Sequence, residues 1–175
     1  MQKEKAPLGL YIHIPFCRQK CAYCDFYSLP RSEEKMDAYT AALLRHIEEV
    51  APRTAAHRVD TVYFGGGTPT ALLPEQMDAV LTELRNCFDI APEAEISVES
   101  SATELTAEML EVLKKGGVNR LSIGIQTFDD EGRALLGRRG SGEHAANSVR
   151  RAIESGIVNT SIDLIYHYPG PVSYT

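Results

Sequence analysis

Five short runs rich in apolar and β-branched residues, Leu10–Phe16, Thr61–Phe64, Glu95–Glu99, Arg120–Gln126 and Thr160–Tyr166, alternate with segments of helical period. Strand and helix in strict alternation pack as right-handed βαβ units around a parallel sheet, which removes most other architectures. After Ser32, a candidate N-cap, Met36, Tyr39, Leu43, Ile47 and Val50 recur at helical spacing, and Pro52 follows. From Pro74, a favourable first helical residue, Met77, Val80, Leu81, Leu84 and Phe88 form a second stripe. Thr106 opens a third helix with Met109, Leu110 and Leu113, closed by Gly116-Gly117. A short helix is predicted around Asp130–Leu136 and a longer one over Gly142–Ser155, stopped by Gly156. No repeat of fixed period and no linker divides the 175 residues, a length that suits one domain with a buried core.

The strands carry a second signal. Ile96 and Val98 share one face of their run, and Ser97 and Glu99 the other. Leu121, Ile123 and Ile125 oppose Ser122, Gly124 and Gln126, and Ile162 and Leu164 oppose Ser161 and Asp163. A closed barrel that is only a packed core puts bulky side chains inside. Here the apolar set is expected against the helices, which leaves small and polar residues facing inward. Glu99, Gln126 and Asp163 then converge near the C-terminal strand ends, where parallel α/β folds place ligands. The competing reading is a sheet with one face in water.

Eighteen basic against twenty-four acidic residues give a net charge of −6, which disfavours a nucleic-acid or anionic-membrane surface. No window approaches the roughly 18 apolar residues of a membrane span, and no signal-peptide h-region follows the charged Met1–Leu10, so a cytoplasmic protein is expected. Of four cysteines, three stand in Cys17-Arg-Gln-Lys-Cys21-Ala-Tyr-Cys24, immediately after the first strand. Three thiolates on one loop suit three irons of a [4Fe–4S] cubane and leave the fourth iron open to an external ligand. Arg18 and Lys20 are expected beside the sulfurs, lowering their pKa values. A structural zinc completed by His13 competes, although His13 lies inside the strand before Pro15. Cys87 falls on the apolar stripe of the second helix and is read as core. Gly65-Gly66-Gly67-Thr68-Pro69 ends the second strand, where glycines let a ligand lie against bare backbone.

Together, the stretches LYIHIPFCRQKCAYCDF (10–26), TVYFGGGTPT (61–70), GVNRLSIGIQTF (117–128), LGR (136–138) and IDLIY (162–166) resemble the radical S-adenosylmethionine (SAM) enzymes. The closer likeness is to the oxygen-independent coproporphyrinogen III oxidase-like branch. The resemblance implies a partial (β/α)₆ barrel with five of six strands present. Residues 1–175 would be the N-terminal part of a radical SAM core domain, with the family's C-terminal region absent. It also implies that Cys17, Cys21 and Cys24 hold the cluster and that SAM chelates the open iron through its amino and carboxylate groups. Gly66, Gly67 and Thr68 match the segment meeting the methionine amino end. Tyr11, Tyr23, Glu99, Gln126, Arg138 and Asp163 match other SAM contacts. One-electron reduction of the sulfonium would yield a 5′-deoxyadenosyl radical that abstracts a substrate hydrogen.

Coproporphyrinogen oxidases resemble C-x₃-C-x₂-C-x-C, whereas here Asp25-Phe26 follows Cys24, as in the haem-chaperone subgroup. The expected function is therefore haem chaperoning in porphyrin metabolism, with SAM, a tetrapyrrole (haem or coproporphyrinogen) and an electron donor such as flavodoxin or ferredoxin as partners. Membrane contact is expected only in delivering haem. The alternatives are the decarboxylating coproporphyrinogen III dehydrogenase, an oxidoreductase, and a module that only binds metal or haem. The chain departs from the branch pattern at Ser100-Ser101-Ala102, at Arg139-Gly140 and over Tyr166–Val172, where His167 replaces a glycine. A histidine there is expected to strain the loop if its backbone needs a positive φ.

Overall fold

Side-chain caps set three of the helix starts. Thr106, Asp129 and Ser141 accept hydrogen bonds from the backbone N–H groups of Met109, Gly132 and His144. Pro74 occupies a first-turn position, and Gln76 reaches back to the Leu73 amide. Ser32 stands at an N-cap position, but its side chain makes no capping bond. The computed structural model describes residues 5–21 and 23–167, so Tyr168–Val172 of the predicted final loop lie outside the described residues.

In chain order the elements are β1 (Ala6–Ile14), β2 (Phe16–Cys17), β3 (Leu29–Pro30), α1 (Glu33–Val50), β4 (His57–Gly66) and α2 (Pro74–Cys87). There follow β5 (Ile90–Ser101), α3 (Ala107–Lys115), β6 (Arg120–Gln126), α4 (Asp130–Leu135), α5 (Gly142–Glu154) and β7 (Asn159–Leu164). The main sheet has the order β1-β4-β5-β6-β7 with every neighbouring pair parallel. This is the expected α/β architecture with five strands. Pro15, which lacks an N–H, divides the first predicted run. β1 ends at Ile14, and β2 turns away to pair with β3 in a separate two-stranded ribbon.

On β5 and β6 the apolar set packs under the helices as alternation predicts: Ile96, Val98, Leu121, Ile123 and Ile125 join Met77, Leu84, Met109 and Leu113 in one core. β7 differs. Ile162 and Leu164 share the expected face but are 38% and 55% exposed, because β7 is the sheet edge and only α5 approaches it closely. The apolar face meets helices as far as β6 and opens to solvent beyond.

Arg133 on α4 is 2% exposed, and its guanidinium closes the C-terminal end of β6. It donates to the carbonyls of Ile125 (3.1 Å), Thr127 (2.9 Å), Arg139 (2.7 Å) and Gly140 (2.8 Å). Burial pulls its pKa below the usual guanidinium value, with the nearby Arg138 charge adding to that. Arg133→Met is expected to leave these carbonyls without a donor and to lower stability by about 3 kcal/mol in equilibrium urea unfolding. A loss below about 1 kcal/mol would remove the guanidinium from the list of fold-defining groups.

Candidate functional site

The site forms where the strands end. After Pro15 the chain enters β2, places Cys17, loops through Cys21 and Cys24, and returns in β3. The base of the loop is tied by Leu29 N–H to Pro15 O (2.6 Å) and Arg31 N–H to Cys17 O (2.9 Å). Across from it, the end of β4 approaches very closely. A β-carbon on Gly67 would meet the Phe16 carbonyl oxygen at 2.7 Å and Cys17 Sγ at 3.1 Å. Gly66 has φ of 115°, and a β-carbon there would meet the His13 ring at 2.7 Å. The Gly67 and Thr68 amides are not bare: they donate to Ile14 O and Phe16 O, each at 2.8 Å.

One cavity of about 200 Å³ lies between the cysteine loop and the strand ends. Cys17, Cys21, Tyr23, Cys24, Gly66, Gly67, Thr68, Glu99, Gln126, Arg138 and Asp163 all line it. Of the predicted site residues only Tyr11 lies outside the lining. It sits lower on the inner face, 60% exposed, stacked on Tyr63 at 6.2 Å and hydrogen-bonded to His13 Nδ1 at 3.1 Å.

The polar side chains are held in place. Tyr63 donates to Glu99 Oε1 at 2.6 Å, and burial followed by the Glu99 hydrogen bond raises the Tyr63 pKa, keeping its proton available. Ser122 donates to both Asp163 oxygens at 3.2–3.3 Å. Arg138 donates to Gly124 O at 2.5 Å and contacts Cys21 Sγ at 3.6 Å. Tyr23 is pushed up to about 12, mainly by burial and against the lowering effect of Arg138. Gln126 reaches the cavity by a route that simple alternation does not predict. Its φ is 70°, in the left-handed region, and the β6–β7 register shifts between Gly124 and Gln126. Such strain at a strand end re-aims a side chain at a cost of order 1–3 kcal/mol.

Of the two cations expected beside the sulfurs, Lys20 lines the cavity with the three cysteines and Arg18 does not. Arg18 turns to Glu104, Lys20 donates to Phe26 O, and Arg138 contacts Cys21 Sγ. Cys87 is half-buried and packs against the edge of the core. Its thiol donates to Glu83 at 2.9 Å, and that bond and burial push it up to about 11. The departures at Ser100–Ala102 and Arg139-Gly140 are locally satisfied. Ser100 bonds Thr70 at 2.7 Å, the Ala102 carbonyl accepts from Ser148 at 2.8 Å, and the Arg139 and Gly140 carbonyls accept from Arg133. His167 has φ of 61°, the strained conformation expected of it. Tyr63, Glu104 and Arg133 carried no sequence signal of their own, since each looks like an ordinary surface residue in its local pattern.

The three loop cysteines are free thiols, each half-buried on the cavity wall. Among the described residues, no three Cys, His, Asp or Glu side chains converge on a single ion. His13, the fourth ligand of the competing zinc reading, is engaged by Tyr11 and packed against Gly66. A cubane instead takes one thiolate at each of three separate irons, which suits separate sulfurs around one cavity.

The family model of the Radical SAM superfamily matches residues 11–171. Heme chaperone HemW of Bacillus subtilis is 39% identical over 164 residues, covering 91% of this chain and 42% of the relative. Oxygen-independent coproporphyrinogen III oxidase of Escherichia coli is 38% identical over 164 residues, covering 93% of this chain and 36% of the relative. A solved structure of coproporphyrinogen III oxidase (HemN) from Escherichia coli, described as a radical SAM enzyme, superposes with a TM-score of 0.87 at 37% identity. That superposition covers 93% of this chain and 38% of the solved one. The chain thus spans about two fifths of the length of these relatives.

Two outcomes follow for the site. Gly67→Ala is expected to displace the backbone at Phe16–Cys17 and cost about 1–3 kcal/mol in thermal or urea unfolding, since the two nearest atoms, the Phe16 carbonyl oxygen and carbon, are backbone and do not yield; an unchanged midpoint contradicts the packing. Because its pKa is raised, Cys87 holds its proton until pH nears 11. At pH 8 it therefore carries roughly a hundredfold less thiolate than an unperturbed cysteine. Its alkylation rate should climb through pH 10 rather than level off near 9, and Glu83→Gln should move the plateau down.

Proposed function

The chain belongs to the radical SAM superfamily, and from that premise we propose that residues 1–175 form the N-terminal, cluster- and SAM-binding part of a haem-chaperone-like protein. The observation that carries this reading is the single cavity onto which three loop thiols, the Gly66–Thr68 segment and the side chains of Glu99, Gln126, Arg138 and Asp163 all open.

Cys17, Cys21 and Cys24 would each give one thiolate to a [4Fe–4S] cluster, leaving the fourth iron for the amino and carboxylate groups of SAM. When bound, that pair supplies one-electron reductive cleavage of the sulfonium. The protein's share is binding and orientation. Arg138, touching Cys21, offsets negative charge on the sulfurs. Gly66 and Gly67 pack without a side chain on His13 and on Phe16–Cys17, which brings their backbone to the cavity wall beside the cysteine loop. Their neighbouring amides are already spent, which suits a ligand group that donates, as the methionine ammonium does. Glu99, oriented by Tyr63, and Asp163, oriented by Ser122, offer acceptors to the remaining SAM donors. Gln126 and Tyr23 complete the wall, and Tyr11 would contact SAM only where the ligand extends down the inner face.

The chaperone reading rests on Asp25-Phe26, where an oxidase-like chain would carry a further cysteine two residues after Cys24. Haem is then the tetrapyrrole carried, a flavodoxin or ferredoxin the electron donor, and the cytoplasm the compartment. Membrane contact is confined to haem delivery. Among the described residues no helix is long and apolar enough to cross a membrane.

Anaerobic reconstitution with iron and sulfide should give a broad iron–sulfur absorbance and an EPR signal that SAM alters. Cys21→Ser should abolish both and Cys87→Ser should leave them. Stoichiometric zinc without iron would sink the reading. Haem titration with and without SAM tests the chaperone assignment, and rapid turnover of coproporphyrinogen would replace it with the dehydrogenase.

A further inference from the structure

The cysteine loop has a narrow base. Between β2 and β3, residues 18–28 leave and return over a ribbon only two residues long on each side, with Cys17 opposite Pro30. So short a ribbon is marginal by itself and cannot hold the intervening loop in one arrangement. Immediately beyond each end stands an arginine, Arg18 after Cys17 and Arg31 after Pro30. Both guanidinium groups turn to the same carboxylate.

That carboxylate is Glu104, in the turn after β5, where its amide donates to Ser101 O at 3.0 Å. Its side chain is 5% exposed. Arg18 meets it side-on, Nε to Oε1 at 2.9 Å and Nη2 to Oε2 at 3.3 Å, and Arg31 Nη1 lies 3.7 Å from Oε2. Thr103 Oγ1 donates to Oε1 at 3.4 Å. A carboxylate this buried is costly to leave without counter-charge, so it fixes its arginines rather than merely attracting them. Bidentate geometry adds direction to the pairing. A second, exposed tie runs from the loop to the far side of the site, through Gln19 to Gly137 O and from Arg139 to Gln19.

We infer that Glu104 is a positioning residue: with Arg18 and Arg31 it clamps the two ends of the cysteine loop to the rim of the sheet and presents the thiols to the cavity before any cluster is assembled. This rests on the reading above that the loop holds the cluster. Glu104 is not part of the lining of the cavity of about 200 Å³; it stands behind the loop, in a recess shared with Cys21 and Arg138, and acts through the arginine next to Cys17.

Hydrogen–deuterium exchange on the metal-free full chain reads the loop without a cluster. Glu104→Gln and Arg18→Gln are expected to raise exchange of the loop amides at least roughly tenfold, while β5 and β6 keep their parental rates. Arg18→Gln keeps the test alive if Glu104→Gln does not fold, because Arg18 is 45% exposed and Arg31 stays on the carboxylate. Arg18→Lys should recover only part of the protection, since an ammonium lacks the planar fork. After anaerobic reconstitution the same variants should lose iron to a chelator several-fold faster than the parent. Unchanged loop exchange, equal acceleration across the whole sheet, or a faster-exchanging loop that retains iron as well as the parent would each overturn the inference. If the parent takes up no iron while the loop still depends on Glu104, the clamp stands and the cluster assignment falls.

Discussion

Backbone lies on backbone where β4 ends against the start of the cysteine loop, and a single methyl group on Gly67 would collide with the Phe16 carbonyl and crowd Cys17 Sγ. Two further bonds, Gly67 N–H to Ile14 O and Thr68 N–H to Phe16 O, lock the approach. Because β1 must stop at Pro15 for this contact to form, the cysteines leave the sheet at its C-terminal rim and not along its face. The cavity, the inward polar residues and the loop tether all take their places relative to that junction. Glycine at 67 is demanded by close approach; at 66 it is demanded also by a φ of 115°.

The sheet serves this rim by separating two jobs across its faces. One face of β5 and β6 is ordinary core, with Ile96, Val98, Leu121, Ile123 and Ile125 packed beneath helices. The other carries Glu99, Ser122, Gly124 and Gln126, which are too small or too polar to fill an interior and so leave room. Stability comes from the first face and ligand space from the second. Arg133 joins them, since its buried guanidinium binds carbonyls at the end of β6 and in the loop that carries Arg138 and Arg139.

Period-two alternation and helix signals make the parallel α/β architecture, the faces of β5 and β6, and the convergence of Glu99, Gln126 and Asp163 legible in the sequence. What alternation cannot report is whether a face is covered. Ile162 and Leu164 show the pattern of buried residues yet stay exposed at the sheet edge. Strands β4 and β5 begin earlier than their apolar runs because parallel pairing of Ala6 with His57 extends β4, and of Val59 with Ile90 extends β5, through polar residues. Gln126 was placed by counting, but its left-handed backbone depends on a register shift against β7 that no local pattern encodes. Glu104 and Arg133 look solvated in sequence, and their burial comes only from partners brought in by the fold: Arg18 and Arg31 for the first, four carbonyls for the second. Arg18 was read as a neighbour of the sulfurs for the same reason, since adjacency in sequence does not say which way a long side chain turns.

The proposed function requires the one cavity to hold both a cluster and SAM. Its most direct test is pulsed electron–nuclear double resonance on the anaerobically reconstituted, reduced chain, with SAM carrying nitrogen-15 in its amino group. A resolved nitrogen-15 coupling to the cluster spin, lost in Cys21→Ser, is the predicted result. Tight SAM binding with no such coupling, on a chain that does carry a cluster, would contradict it.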